Sequence, residues 1–113
     1  MHEIKGLLFD IGGVLYVGDN IIPGANEAIA SLQTIYPMRF LTNTTRRTPL
    51  AMMDKLNAMG FSVRSEELFT ALDATKNYVI SQNGTVYTLL TDEAAGWFES
   101  LESDTPDFVV VGD

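Results

Sequence analysis

The chain has no cysteine, one histidine (His2), and 7 basic residues against 15 acidic ones. Without cysteine there can be no disulfide, no thiolate nucleophile and no Cys-ligated metal. A Ser-His triad or a His-based zinc site would depend on His2 alone, at the N-terminal end. A net charge of -8 removes the basic face that nonspecific nucleic-acid or acidic-membrane binding needs. It also means that an anionic substrate must be met by local donors or a metal ion, because the overall field repels it. No charged segment leading into a long apolar run opens the chain, and no stretch approaches transmembrane length. The expectation is a soluble cytoplasmic protein.

What is present is a core-forming sequence. The 113 residues fit one small domain, or a core plus part of a second unit, and 46% hydrophobic content rules out a disordered chain. The organising stretch is Gly6-Leu7-Leu8-Phe9-Asp10-Ile11-Gly12-Gly13-Val14-Leu15. Leu7, Leu8 and Phe9 form a continuous apolar run, which predicts a strand buried on both faces. Asp10 then falls at its carboxyl end, where ligands bind in open α/β sheets. Gly12 and Gly13 permit a sharp turn, and their amides can form an anion-binding nest. The same pattern also suits a plain turn aspartate after a core strand.

Further along, Val14 to Ile22 reads as an extended excursion with Gly18, Asp19 and Asn20 as turn residues. Pro23-Gly24 precedes a helix whose apolar face carries Ala25, Ala28, Ile29, Leu32, Ile35 and Tyr36, and Pro37 stops it. Met38 to Leu41 is a second parallel strand ending in Thr42-Asn43-Thr44-Thr45. Thr48 and Pro49 start a helix with Leu50, Met53, Leu56 and Met59 inward and Gly60 as its stop. A short strand is expected around Leu68-Phe69. A helix capped by Thr70 and Asp73 then runs to about Gln82 and Asn83-Gly84. Thr85 to Leu90 is a strand, Asp92 to Leu101 a helix, and Phe108 to Val111 a last β-branched strand. This alternation predicts an α/β fold with a parallel sheet and right-handed crossovers.

Two strand ends, one bearing Asp10 and one bearing Thr42-Asn43, suit phosphoryl transfer. A carboxylate can attack phosphorus, a hydroxyl and an amide can hold the equatorial oxygens, and magnesium can shield the negative partners from each other. The stretches Asp10-Ile11-Gly12-Gly13-Val14-Leu15-Tyr16 and Phe40-Leu41-Thr42-Asn43-Thr44 resemble motifs one and two of the haloacid dehalogenase-like (HAD) hydrolases. The likeness is to subclass IIA, the p-nitrophenylphosphatase-like and phospholysine phosphohistidine inorganic pyrophosphate phosphatase-like enzymes, whose cap is inserted after the second motif. It extends over the whole chain: Tyr16 to Gly24 as flap, Arg46-Arg47-Thr48 before the helix, and Pro106 to Gly112 as a cap strand.

The resemblance implies a Rossmann-like parallel sheet core over residues 1–72, a connecting helix over 73–84 and the first part of an α/β cap over 85–113. It implies a magnesium-dependent phosphatase working through an aspartyl-phosphate. Asp10 would be the nucleophile and a magnesium ligand, and the backbone carbonyl of Gly12 a second ligand. The hydroxyl of Thr42, together with Asn43, would hold the phosphoryl group, with backbone amides at Ile11 and Gly12 contacting it. The substrate would be a phosphorylated small molecule or a phosphoprotein.

Two departures follow from the same comparison. Many members carry an acid-base aspartate where this chain has Gly12. The family's lysine and late acidic pair lie after the cap, so the chain is expected to be an N-terminal part, incomplete and inactive alone. Lys55 and Lys76 read as surface residues, and Gly112-Asp113 as the end of a cap strand. If Leu7-Leu8-Phe9 is central in the sheet, an open edge would favour pairing with another copy. Two other readings stay open: a non-catalytic regulatory or interaction module on the same fold, and an actin-like sugar kinase, which also opens with Asp-Ile-Gly-Gly. Arg46 and Arg47 read either as substrate contacts or as a solvated pair.

Overall fold

The computed structural model describes residues 3–113, so His2 lies outside the described residues. The chain forms two compact units, each discontinuous in sequence. The first takes the residues up to Thr42 together with Met52–Phe69, and the second takes Asn43–Ala51 with Thr70–Asp113. Among the described residues, no helix is long and apolar enough to cross a membrane.

The first unit is built on β1 (Leu7–Asp10) and β4 (Met38–Thr42), which pair in parallel with Leu7 opposite Met38 and Asp10 opposite Leu41. β5 (Leu68–Thr70) completes a sheet of order β1-β4-β5. Among the described residues β4 lies between β1 and β5, and no strand pairs with the other side of β1. Between β1 and β4 the chain makes a small antiparallel hairpin, β2 (Tyr16–Val17) and β3 (Asn20–Ile21), turned by Gly18 and Asp19. The helix α1 (Ala25–Gln33) follows, entered through Gly24 at φ 86°, a left-handed conformation that glycine adopts without a Cβ penalty.

The expectation that β1 is buried on both faces is not met. Leu7 and Phe9 face the core, whereas Leu8 is 72% exposed. A continuous apolar run implies two-sided burial only when both sheet faces are covered. Here the core gathers on one face, around Phe40, Ile11, Leu15, Ile29, Met52, Leu56 and Phe61. Leu8 and its register partner Arg39 both lie exposed. The helix α2 (Pro49–Ala58) starts as anticipated, with the Thr48 hydroxyl accepting from the Ala51 amide at 3.1 Å. Its buried residues are Met52 and Leu56, however, while Leu50 is exposed. Of the expected set, Met53, Leu56 and Met59 pack against the core and Leu50 does not, while Met52 joins them. Gly60, at φ 94°, closes the helix and is packed against the Asn26 amide.

The second unit opens on α3 (Ala71–Ser81), whose capping box is complete. The Thr70 hydroxyl accepts from the Asp73 amide at 3.1 Å, and the Asp73 carboxylate accepts from the Thr70 amide at 3.1 Å. β6 (Val86–Leu89) and β7 (Phe108–Val111) then pair in parallel. The core of this unit is Leu72, Val79, Val86, Ala94, Phe98 and Val110. The single helix expected over Asp92 to Leu101 is broken. The helix α4 (Asp92–Gly96) ends at its glycine, a poor helix former, and a separate 3₁₀ turn spans Glu99–Leu101. The break lets Phe98 bury completely. Lys55 and Lys76 do not extend freely into solvent: their ammonium groups lie 4.4 Å and 4.7 Å from the Tyr16 and Trp97 ring centroids.

One carboxylate is buried in the first unit. Glu67 is 2% exposed, and its Oε1 accepts from the Arg64 amide at 3.0 Å and from the Arg64 guanidinium at 3.3 Å. Burial alone pushes its pKa up. The Arg64 backbone and side-chain bonds, the Arg64 charge and the Gln33 amide outweigh burial and hold it below the ordinary 4.5. A carboxyl depressed in the fold stabilises the native state above its unfolded pKa, and that stabilisation is lost as pH falls through the folded value. Urea unfolding of the wild type is therefore expected to show stability falling below about pH 4.5. Glu67→Gln should be less stable at pH 7 and should show a smaller loss on acidification.

Candidate active site

The parallel pairing of β1 and β4 brings Asp10 and Thr42 to the same, carboxyl end of the sheet. Neighbouring strands lie about 4.7–4.9 Å apart. Because Asp10 stands opposite Leu41, Thr42 lies one residue further along β4. Asp10 is exposed and Thr42 half-buried. Asn43, the next residue, begins the second unit and is exposed.

Asp10 is anchored locally. Its Oδ1 accepts from the Ile11 amide at 2.8 Å, which fixes the carboxylate against its own turn. The Ile11 side chain is fully buried in the core, so the turn is pinned from below. The chain then winds tightly, with the Val14 and Leu15 amides donating to the Ile11 carbonyl at 3.1 and 2.8 Å. The Gly13 amide donates to the Tyr16 carbonyl at 2.8 Å, so it is engaged within the turn. The Ile11 and Gly13 amides are therefore both used inside the loop here. Of the nest suggested by the two glycines, the Gly13 amide is thus turned to Tyr16. Tyr16, the last residue of the first motif and the start of the flap, is thereby tied to the turn: it bridges to Gly12 and carries Lys55 over its ring.

The two glycines differ. Gly13 has φ +79°, which a side chain would strain, while Gly12 has ordinary backbone and nothing within 4 Å of the position of an added Cβ. Glycine at position 12 is thus not required by packing. The resemblance would give a divalent ion at this turn the Asp10 carboxylate and the Gly12 carbonyl, both hard oxygens of the kind magnesium takes. Magnesium commonly uses one or two carboxylates plus substrate oxygens and water, so this pair fits part of such a shell. Among the described residues, no group of three or more His, Cys, Asp or Glu side chains could hold a metal.

Against this geometry, a family model described as haloacid dehalogenase-like hydrolase matches residues 7–102. The chain belongs to the haloacid dehalogenase-like hydrolases. This sets aside the sugar kinase reading. It is 33% identical over 112 residues to haloacid dehalogenase-like hydrolase domain-containing protein 2 of Bos taurus, covering 98% of this chain and 43% of that protein. It is 30% identical over 118 residues to a phospholysine phosphohistidine inorganic pyrophosphate phosphatase of Danio rerio, covering 100% of this chain and 44% of that protein. Among solved structures, a 4-nitrophenylphosphatase from Thermotoga maritima superposes with a TM-score of 0.85 at 25% identity, over 96% of this chain and 44% of that one. These relatives support placement in subclass IIA. The chain spans less than half the length of the curated relatives it matches.

The contrast between the two glycines can be measured by urea denaturation. Gly12→Ala is expected to change stability by less than about 0.5 kcal/mol, as for an unstrained surface site. Gly13→Ala is expected to cost about 1 kcal/mol or more, because its backbone lies in the left-handed region.

Proposed function

We propose that Asp10 is the nucleophile of a magnesium-dependent phosphatase and that Thr42 and Asn43 bind the phosphoryl group it attacks. The observation that carries this reading is the in-register parallel pairing of β1 and β4, which ends both motifs at one edge of the sheet. The carboxylate is exposed, and one of its oxygens is held by the Ile11 amide. An Asp10 oxygen attacks phosphorus, and the bond to the leaving oxygen breaks with its electron pair departing on the leaving group. Water then cleaves the resulting aspartyl-phosphate, releasing orthophosphate and restoring the carboxylate. Magnesium, held by the Asp10 carboxylate and the Gly12 carbonyl, would offset the charge between nucleophile and phosphoryl oxygens.

Gly12 has no proton to give the leaving group. General acid-base assistance is worth about 10²- to 10⁴-fold, so acyl, aryl and N-phosphates, whose leaving groups need least help, suit this turn best. The substrate is a phosphorylated small molecule or a phosphoprotein of that kind. The proposal assigns residues 1–72 to the core, 73–84 to a connecting helix and 85–113 to the first part of a cap. It also requires a lysine and a further acidic pair, which the family resemblance puts after the cap.

A second reading, a non-catalytic regulatory or interaction module, is favoured by Gly12, which has no side chain to act as a general acid. Hydrolysis of p-nitrophenyl phosphate with magnesium by the full-length protein separates the two. The phosphatase reading expects turnover that Asp10→Asn lowers at least a hundredfold. Equal rates for the wild type and Asp10→Asn would remove the covalent mechanism.

A further inference from the structure

Within the first unit, the hairpin that follows the Asp10 turn is tied to the core through Tyr16. Of the four strand residues of β2 and β3, Val17, Asn20 and Ile21 are exposed and only Tyr16 is half-buried. A two-stranded hairpin is marginal by itself, so its place is set by what holds Tyr16. That support comes from α2. The Lys55 ammonium lies 4.4 Å from the Tyr16 ring centroid, and the Tyr16 hydroxyl lies 3.9 Å from the sulfur of the buried Met52. Met52 and Lys55 are three residues apart, the spacing that puts two side chains on one face of a helix. Lys55 is half-buried, and among the described residues it makes no ion pair with a carboxylate. Its positive charge is directed instead at the face of the ring, whose quadrupole attracts it.

On its other side, Tyr16 holds the turn by its backbone. Its carbonyl accepts from the Gly13 amide at 2.8 Å, and it forms a bridge with Gly12. Ile11 and Leu15 are anchored in the core, whereas the stretch between them, Gly12 to Val14, is exposed. The two glycines have no side chain with which to pack, so their placement depends on backbone partners. We infer that Lys55 and Tyr16 are positioning residues, a clamp that fixes the Gly12–Gly13 stretch and with it the setting of Asp10. Lys55 acts through the ring and is not required to touch the reacting atoms. Every residue of the clamp and of the turn belongs to the first unit. The assignment rests on the phosphatase reading only for what Asp10 attacks, and the clamp itself stands apart from it.

Amide hydrogen exchange and p-nitrophenyl phosphate kinetics with magnesium, both on the full-length protein, test the clamp. A cation over a ring at a partly exposed site corresponds to about a two- to fivefold change in a local equilibrium. Lys55→Met keeps the stem and removes the charge. It should speed exchange of the Gly13 amide by about that factor and leave Phe40, in the core strand, unchanged. Tyr16→Leu, which removes the ring, should speed it further. In kinetics, both variants should lower kcat severalfold with KM nearly unchanged, because the nucleophile is misplaced while the phosphoryl contacts proposed for Thr42 and Asn43 are kept. Lys55→Arg keeps a cation over the ring and should restore both readouts. Unchanged Gly13 exchange in both Lys55→Met and Tyr16→Leu would overturn the clamp. Faster exchange with an unchanged kcat would overturn its positioning role, and failure of Lys55→Arg to restore kcat would overturn the part given to the cation. If the wild type shows no turnover, the phosphatase reading and the positioning role fail together, while the exchange data still decide whether the clamp exists.

Discussion

The pairing of β1 with β4 is the constraint on which the rest of the first unit depends. It is fixed by side chains rather than by the turn between the strands, since a hairpin and a helix intervene. Phe9 stands opposite Phe40 with ring centroids 6.1 Å apart, and Phe40 is fully buried. Strand side chains alternate, so slipping the register by one residue would swing Phe9 out of the core. The same slip would carry Asp10 away from its place beside the end of β4. One stacked aromatic pair therefore sets both the core and the relation between the nucleophile candidate and Thr42.

Above that pair, the turn after β1 is held by its own backbone. Ile11 serves it twice: its side chain fills the core and its amide holds the Asp10 carboxylate. A carboxylate fixed in this way loses less freedom on reaching its reactive position, the ordinary benefit of preorganisation. The chain's charge of -8 works against an anionic ligand at the same place. Under the proposed function, local donors must overcome that field.

Local chemistry was legible in the sequence and tertiary choice was not. The Thr48 cap, the Thr70–Asp73 capping box and the stop at Gly60 each rest on residues within one turn of each other, and all appear in the structure. The strand ends bearing Asp10 and Thr42 also fall where apolar runs give way to polar residues. The exposure of Leu8 and Leu50 is not legible in the sequence, because an apolar side chain cannot report whether anything covers it. The helix over Asp92 to Leu101 was drawn too long because Trp97, Phe98 and Leu101 mimic helical spacing, while burying Phe98 decides the local geometry.

The division into two units has a consequence for anyone dissecting the molecule. The path leaves the first unit after Thr42, returns at Met52, and leaves again after Phe69. Neither unit is a continuous piece of sequence, so no single scission can release either one whole. A truncation at the end of β5 would strip the nonapeptide-long Asn43–Ala51 segment from its companions, and a clone beginning at Thr70 would lack it altogether. Isolating either half would need a linker that bypasses the intervening segment, or two fragments that find each other in solution.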